Sequence, residues 1–242
     1  MVYAGLNNTL VHFQEGEGFM RTLVVVTAGL SNPSSTRNVA DRIAQAVQTA
    51  VSSRGEALDV KVVEVREYIN DLAHVMSTGM STEKLDKLKT ELSDADALVA
   101  VTPVFQASYS GLFKMFFDVL DTDSLNGMPT IIAATAGSSR HALVLEYALR
   151  PLFVYLRARL VTTGLFAATE DFGSSEGAAF EQRVQRAAGE LADMMIASDS
   201  YTPGFGGATV EDTRRPRKAG VDMTENLTPF SQLLKGLDGS VK

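Results

Sequence analysis

The chain has 242 residues, with 22 basic and 29 acidic side chains, a formal net charge of −7 and no cysteine. This length holds one sizeable core without demanding two domains. Scattered acidity argues against nucleic acid as the main partner, and the missing cysteines exclude disulfides, Cys-ligated zinc and thiol chemistry while suiting a reducing cytoplasm. No apolar run approaches the roughly 18 residues of a bilayer span. The opening MVYAGLNNTLVHFQEGEGF lacks a basic n-region and a continuous apolar stretch, so it does not read as a signal peptide. Residues 1–19 are expected to be a disordered extension, or a start set too early, ahead of Met20.

Leu23 to Val26 form an apolar, β-branched run ending at Thr27, which predicts the first strand. A turn rich in Ser, Asn and Pro follows, and a helical pattern opens at about Thr36 with Val39, Ile43, Ala46, Val47, Ala50 and Val51 on one stripe. Ser52-Ser53-Arg54-Gly55 stops it. Leu58 to Val65 alternates as a half-buried edge strand, residues 66–80 are ambiguous, and Thr82 caps a helix carrying Leu85, Leu88 and Leu92. Ala97 to Val104 is apolar on both faces, as a central parallel strand requires. Ser110-Gly111 opens a helix with Phe113, Phe116, Phe117 and Leu120. Thr130 to Thr135 is a fourth strand, His141 to Arg157 a helix, Leu160 to Ala167 a fifth strand, and Glu176 to Ala197 a last helix. This alternation calls for a parallel sheet covered by helices on both faces. Residues 20–197 make one domain. Residues 198–242 read as a flexible arm, with Phe230, Leu233, Leu234 and Leu237 on a short amphipathic helix.

Ligands of an open parallel sheet sit beyond the carboxyl ends of its strands. Three segments leave those ends: 28–36, 103–110 and 135–141, all poor in carboxylates. The first is a strand–turn–helix that aims backbone N–H groups and the hydroxyls of Ser31, Ser34, Ser35 and Thr36 at a helix N-terminus. Such a turn holds a phosphate without a formal charge, here that of a flavin mononucleotide. A solvent-facing capping box would look the same. The second exceeds the usual βα length of about 2–6 residues. Phe105 and Tyr109 offer a flavin ring an apolar face, and the backbone around Pro103, Val104, Gln106 and Ser108 offers its polar edge donors and acceptors. The same aromatics could instead plug the sheet end. In the third, Thr135, Gly137 and Ser138 border the ring. Arg140 suits the phosphate-bearing end of a nicotinamide nucleotide, and His141 reads as a helix-start residue rather than a proton carrier. Lys114 and Asp118 read as a solvated i,i+4 pair.

These segments, SNPSSTRNVA, TPVFQASYSGLFK and ATAGSSRHALVLEYALRPL, resemble the NADPH-dependent FMN reductase family, in particular the reductases that serve luciferase-like monooxygenases. The family's first-turn pattern falls on Ser34, Thr36, Val39 and Ala40, and its second on Pro103, Phe105, Ser108, Gly111, Phe113 and Lys114. Phe105 replaces a Tyr, Phe113 a Leu and Ala136 a Gly of that pattern. The resemblance spans about residues 21–170. It implies a flavodoxin-like, doubly wound, five-stranded parallel sheet of order 2-1-3-4-5. It also implies hydride transfer from NADPH or NADH to FMN N5, and delivery of reduced flavin to a partner monooxygenase. The helix from His141 is apolar nearly all round, with Pro151 in its interior. In the family this region carries a subunit contact and a π-type insertion near the counterpart of Tyr147, which implies a homodimer or homotetramer.

Other readings share the fold: a flavin-retaining quinone, azo or chromate reductase, or a flavodoxin-type electron carrier. A non-flavin interaction module is the reading from outside it. No Gly-x-Gly-x-x-Gly follows the first strand, no Walker lysine follows a Gly-rich turn, and no Gly-x-Ser-x-Gly elbow occurs. His12, His74 and His141 are far apart without clustered carboxylates, so no metal site is expected.

Overall fold

A computed structural model describes residues 20–168, 175–197 and 217. The expectations for residues 1–19 and for the arm beyond Ala197, its terminal amphipathic helix included, lie outside these residues, Arg217 apart. Strand β1 (Met20–Thr27) runs parallel between β2 (Ala57–Glu64) and β3 (Ala97–Phe105). Strand β5 (Pro129–Ala136) lies on the other side of β3. Two short strands, β6 (Arg159–Leu160) and β7 (Leu165–Ala168), share the far edge of β5. The main path is β2-β1-β3-β5-β6, the doubly wound parallel arrangement of flavodoxin-like folds.

The expected five-strand count is corrected to seven among the described residues. One addition is β4 (Ser108–Tyr109), antiparallel to the end of β3. The other comes from splitting the expected strand 160–167. Val161 still donates its N–H to the Thr130 carbonyl at 3.0 Å. Thr163 then gives its N–H and hydroxyl to Glu190, at 2.9 and 2.7 Å, so the chain leaves the ladder until Leu165.

Alternation along β1 builds two cores, with Leu23 and Val25 on one face and Val24 and Val26 on the other. The first face packs under α1 (Ser35–Ser52) and α6 (Ser175–Ala197), through Val39, Ile43 and Val47 from one helix and Val184, Ala188 and Leu191 from the other. The second lies under α2 (Ile69–Thr78), α3 (Glu83–Asp94), α4 (Gly111–Asp118) and α5 (Arg150–Tyr155). Its centre is aromatic, with Phe117 and Phe153 ring centroids 4.9 Å apart. Ser34, Thr82 and Ser110 cap α1, α3 and α4 by accepting backbone N–H groups three residues on. Residues 66–80, ambiguous in sequence, form the end of a 3₁₀ turn (Val65–Tyr68) and α2, which Gly79 terminates at φ 74°. No helix among the described residues is long and apolar enough to cross a membrane.

The helix expected over 141–157 divides into a 3₁₀ turn (Ser139–His141), a π-helical turn (Leu145–Leu149) and α5, and the π-helical turn contains Tyr147, as the family resemblance implied. Pro151 lies in the first turn of α5, where a missing N–H costs little. All-round burial is also corrected within the chain. Leu145, Leu149 and Phe153 are buried, whereas Leu143, Tyr147, Val154 and Tyr155 are 63%, 80%, 60% and 70% exposed.

Candidate functional site

The register aligns Thr27 with Val101, and Val101 with Ala133, so the segments after β1, β3 and β5 emerge at one rim. The first turns sharply at Gly29. A Cβ there would meet Ser34 Oγ at 2.1 Å and Thr36 Cβ at 3.1 Å, so the turn folds back on itself only with glycine. Its four hydroxyl candidates divide. Ser31 and Ser35 are exposed, while Ser34 and Thr36 are buried. Ser34 Oγ accepts the Arg37 N–H at 3.2 Å and still has its own proton to donate. Thr36 Oγ1 lies 2.9 Å from Thr135 Oγ1 in a buried bond between the first and third segments. Two hydroxyls sharing one bond leave one proton for another acceptor.

Sequence reasoning missed the ionic frame outside this turn. Arg66 Nη1 donates to the Ser31 carbonyl at 2.9 Å, and its other terminal nitrogen is 2.5 Å from Glu64. Arg37 binds the other Glu64 oxygen at 2.6 Å and Asp41 at 2.7 Å. The bond to Asp41, followed by its charge and by Glu64, raises the Arg37 guanidinium above its ordinary range despite burial. The available signal was β-sheet register: the last residue of β2, Glu64, stands opposite Thr27.

The second segment is a hairpin rather than the expected open loop. Strand β3 continues to Phe105, turns through Gln106 and Ala107 at φ 49° and 66°, and returns as β4. Two successive left-handed residues match the twist of a two-residue hairpin, at a cost of about 1 kcal/mol for each non-glycine. Thr102 Oγ1 closes its base by accepting the Ser110 N–H at 3.0 Å. Phe105 is 46% exposed at the rim. Tyr109 is half-buried and tilts against Phe113 with ring centroids 6.0 Å apart, so it belongs partly to the core. Pro103, Val104 and Ser108 are half-buried and Gln106 is exposed.

In the third segment Thr135 is buried, Gly137 is exposed with nothing within 4 Å of an added Cβ, and Ser138 accepts the Arg140 N–H at 3.4 Å. Arg140 is exposed, with Nε 3.4 Å from His141 Nε2. Lys114 and Asp118 form the expected exposed pair.

The donor set fits a flavin mononucleotide. The three segments carry no carboxylate, and they combine hydroxyls, the N-terminus of an 18-residue helix and one exposed aromatic face.

A family model for NADPH-dependent FMN reductases matches residues 20–173. An NADH-dependent FMN reductase, SfnF, of Pseudomonas putida is 36% identical over 167 residues, covering 68% of this chain and 87% of that protein. The X-ray structure of an oxidoreductase from Corynebacterium diphtheriae superposes with a TM-score of 0.72 at 63% identity, over 74% of this chain and 98% of that one. The apo form of an NADH:FMN oxidoreductase, EmoB, gives 0.58 at 26% identity, over 76% and 92%.

Proposed function

This chain belongs to the NADPH-dependent FMN reductase family and is an NAD(P)H-dependent FMN reductase, and from that premise we propose which residues hold each part of the reaction. The phosphate of FMN lies in the first turn, against Ser31, Ser34, Ser35, Thr36 and the N-terminus of α1. The flavin ring lies between the hairpin, from Pro103 through Val104, Phe105, Gln106 and Ser108 to Tyr109, and Thr135, Gly137 and Ser138 of the third segment. Arg140 receives the phosphate-bearing end of the nicotinamide nucleotide. The observation that supports this most is the Thr36–Thr135 bond of 2.9 Å, which ties the phosphate turn to the ring-side segment.

The chemistry supplied by the bound flavin is acceptance of a hydride at N5 from the reduced nicotinamide. The residues of the rim bind and orient; none is required as a general acid or base. Phe105 gives the ring an apolar support that water does not compete for, and the hairpin amides orient its polar edge. Reduced flavin then passes to a flavin-dependent monooxygenase, and the work is done in the cytoplasm. The exposed Leu143, Tyr147, Val154 and Tyr155 form the contact of a homodimer or homotetramer.

The assay is nicotinamide oxidation followed by absorbance with NADPH and with NADH, as free FMN is raised. An exchangeable flavin gives a rate that rises with free FMN and saturates. A rate independent of added FMN contradicts delivery of reduced flavin and indicates a retained group. No turnover with either nicotinamide contradicts the reductase itself.

A further inference from the structure

The phosphate turn is gripped from outside as well as built from within. Strands β1 and β2 stay paired to the last residue of each, Thr27 opposite Glu64, so the chain leaving β2 emerges beside the turn leaving β1. The 3₁₀ turn after β2 brings Arg66 over that turn, where Nη1 donates to the Ser31 carbonyl at 2.9 Å. Glu64 orients Arg66 from one side, at 2.5 Å, and binds Arg37 of α1 from the other, at 2.6 Å. The side chains of Glu64 and Arg66 are only 17% and 26% exposed, so this frame is better shielded than an ordinary surface pair.

The Ser31 carbonyl shares its trans peptide plane with the Asn32 N–H, and the two point in opposite directions. Drawing the carbonyl toward Arg66 therefore directs that N–H away from Arg66. Pro33 has no N–H of its own, so Asn32 is a scarce backbone donor in this part of the turn. With Asp41 included, the frame holds two cations and two carboxylates. It therefore acts through orientation rather than net charge.

We propose that Arg66, oriented by Glu64, is a positioning residue for the phosphate of FMN: it holds the Ser31–Asn32 peptide in the phosphate-binding orientation before flavin arrives. This rests on the assignment of the phosphate to the first turn. A pre-set donor lowers the cost of ordering the turn on binding, and that saving is felt only by a ligand that carries the phosphate.

The test compares FMN with riboflavin, which lacks the phosphate, by fluorescence titration and steady-state kinetics of the full chain. The variants are Arg66→Ala, Arg66→Lys and Glu64→Gln. Arg66→Ala raises the Kd and KM for FMN about three- to tenfold, the size of one ordinary net hydrogen bond. It leaves kcat at saturating FMN and the Kd for riboflavin unchanged. Arg66→Lys restores part of the loss, and Glu64→Gln shows a smaller loss of the same kind. FMN binding by Arg66→Ala equal to that of the parent overturns the proposal, as does an equal loss for FMN and riboflavin with a lowered melting temperature. A parent protein that binds FMN no better than riboflavin overturns the phosphate assignment itself, whatever the variants do.

Discussion

At the scale of single residues, the proposed phosphate site asks the same atoms of the first turn to serve both folding and binding. Ser34 Oγ caps α1 through the Arg37 N–H and is proposed as a donor to the phosphate. Ser34→Ala should therefore cost about 1 kcal/mol of stability and also raise the Kd for FMN, as read by thermal unfolding and titration. Thr36→Val keeps the shape but breaks the bond to Thr135. It should cost about 1 kcal/mol and weaken FMN in the same titration. Gly29→Ala is the harsher change, because its Cβ meets Ser34 Oγ at 2.1 Å and two further carbons within 3.2 Å. Opening the turn to accept it should cost about 1–3 kcal/mol and weaken FMN more than Ser34→Ala; an unchanged melting temperature would refute the close approach. The hydroxyls of this turn were legible because Ser and Thr before a helix announce a cap. The Thr36–Thr135 bond was not, since its partners are 99 residues apart. Arg66 and Glu64 stayed hidden because their role comes from sheet register and not from a local pattern.

At the scale of elements, patterning found almost every strand and helix, and failed where the backbone departs from a regular period. The hairpin of β3 and β4 looked like a long loop because its turn residues, Gln106 and Ala107, are not the Asn-Gly pair such turns favour. Ala107→Gly should relieve the left-handed strain and stabilise the protein by about 0.5–1 kcal/mol. A lower melting temperature would contradict the strain. The stretch after β5 read as one helix from its apolar residues, which recur too densely to mark the change from π-helical to α-helical turns; the π-helical turn at Tyr147 was legible only through the family resemblance. Within it Glu146 pairs with Arg150, and this hydrogen bond holds the Glu146 carboxyl below the ordinary carboxylate range. A lowered folded value means the contribution is present above the unfolded pKa and fades as pH falls through the folded one. The pair is exposed, so it contributes only about 0.3–0.5 kcal/mol. The melting temperatures of Glu146→Gln and the parent should differ slightly at neutral pH and converge in acid.

At the scale of the whole molecule, the parallel sheet covered by helices was legible because alternating βαβ units leave few topologies, whereas the strand order came from the family resemblance. The strand count was not, because Glu190 of α6 captures Thr163 and breaks the last strand, a contact that no local pattern encodes. The apolar face around Tyr147 and Tyr155 has no cover within the described chain, and its proposed cover is a second copy. Light scattering should give a multiple of the 26.0 kDa chain mass, and Val154→Glu should shift it toward the monomer; the monomer mass for the parent at micromolar concentration would contradict the contact. The rim itself is tested most directly by a crystal structure of the protein soaked with FMN. The phosphate should appear against residues 31–36 and the ring between residues 103–109 and 135–138. Flavin density elsewhere, or a rim left empty at saturating FMN, would contradict the assignment.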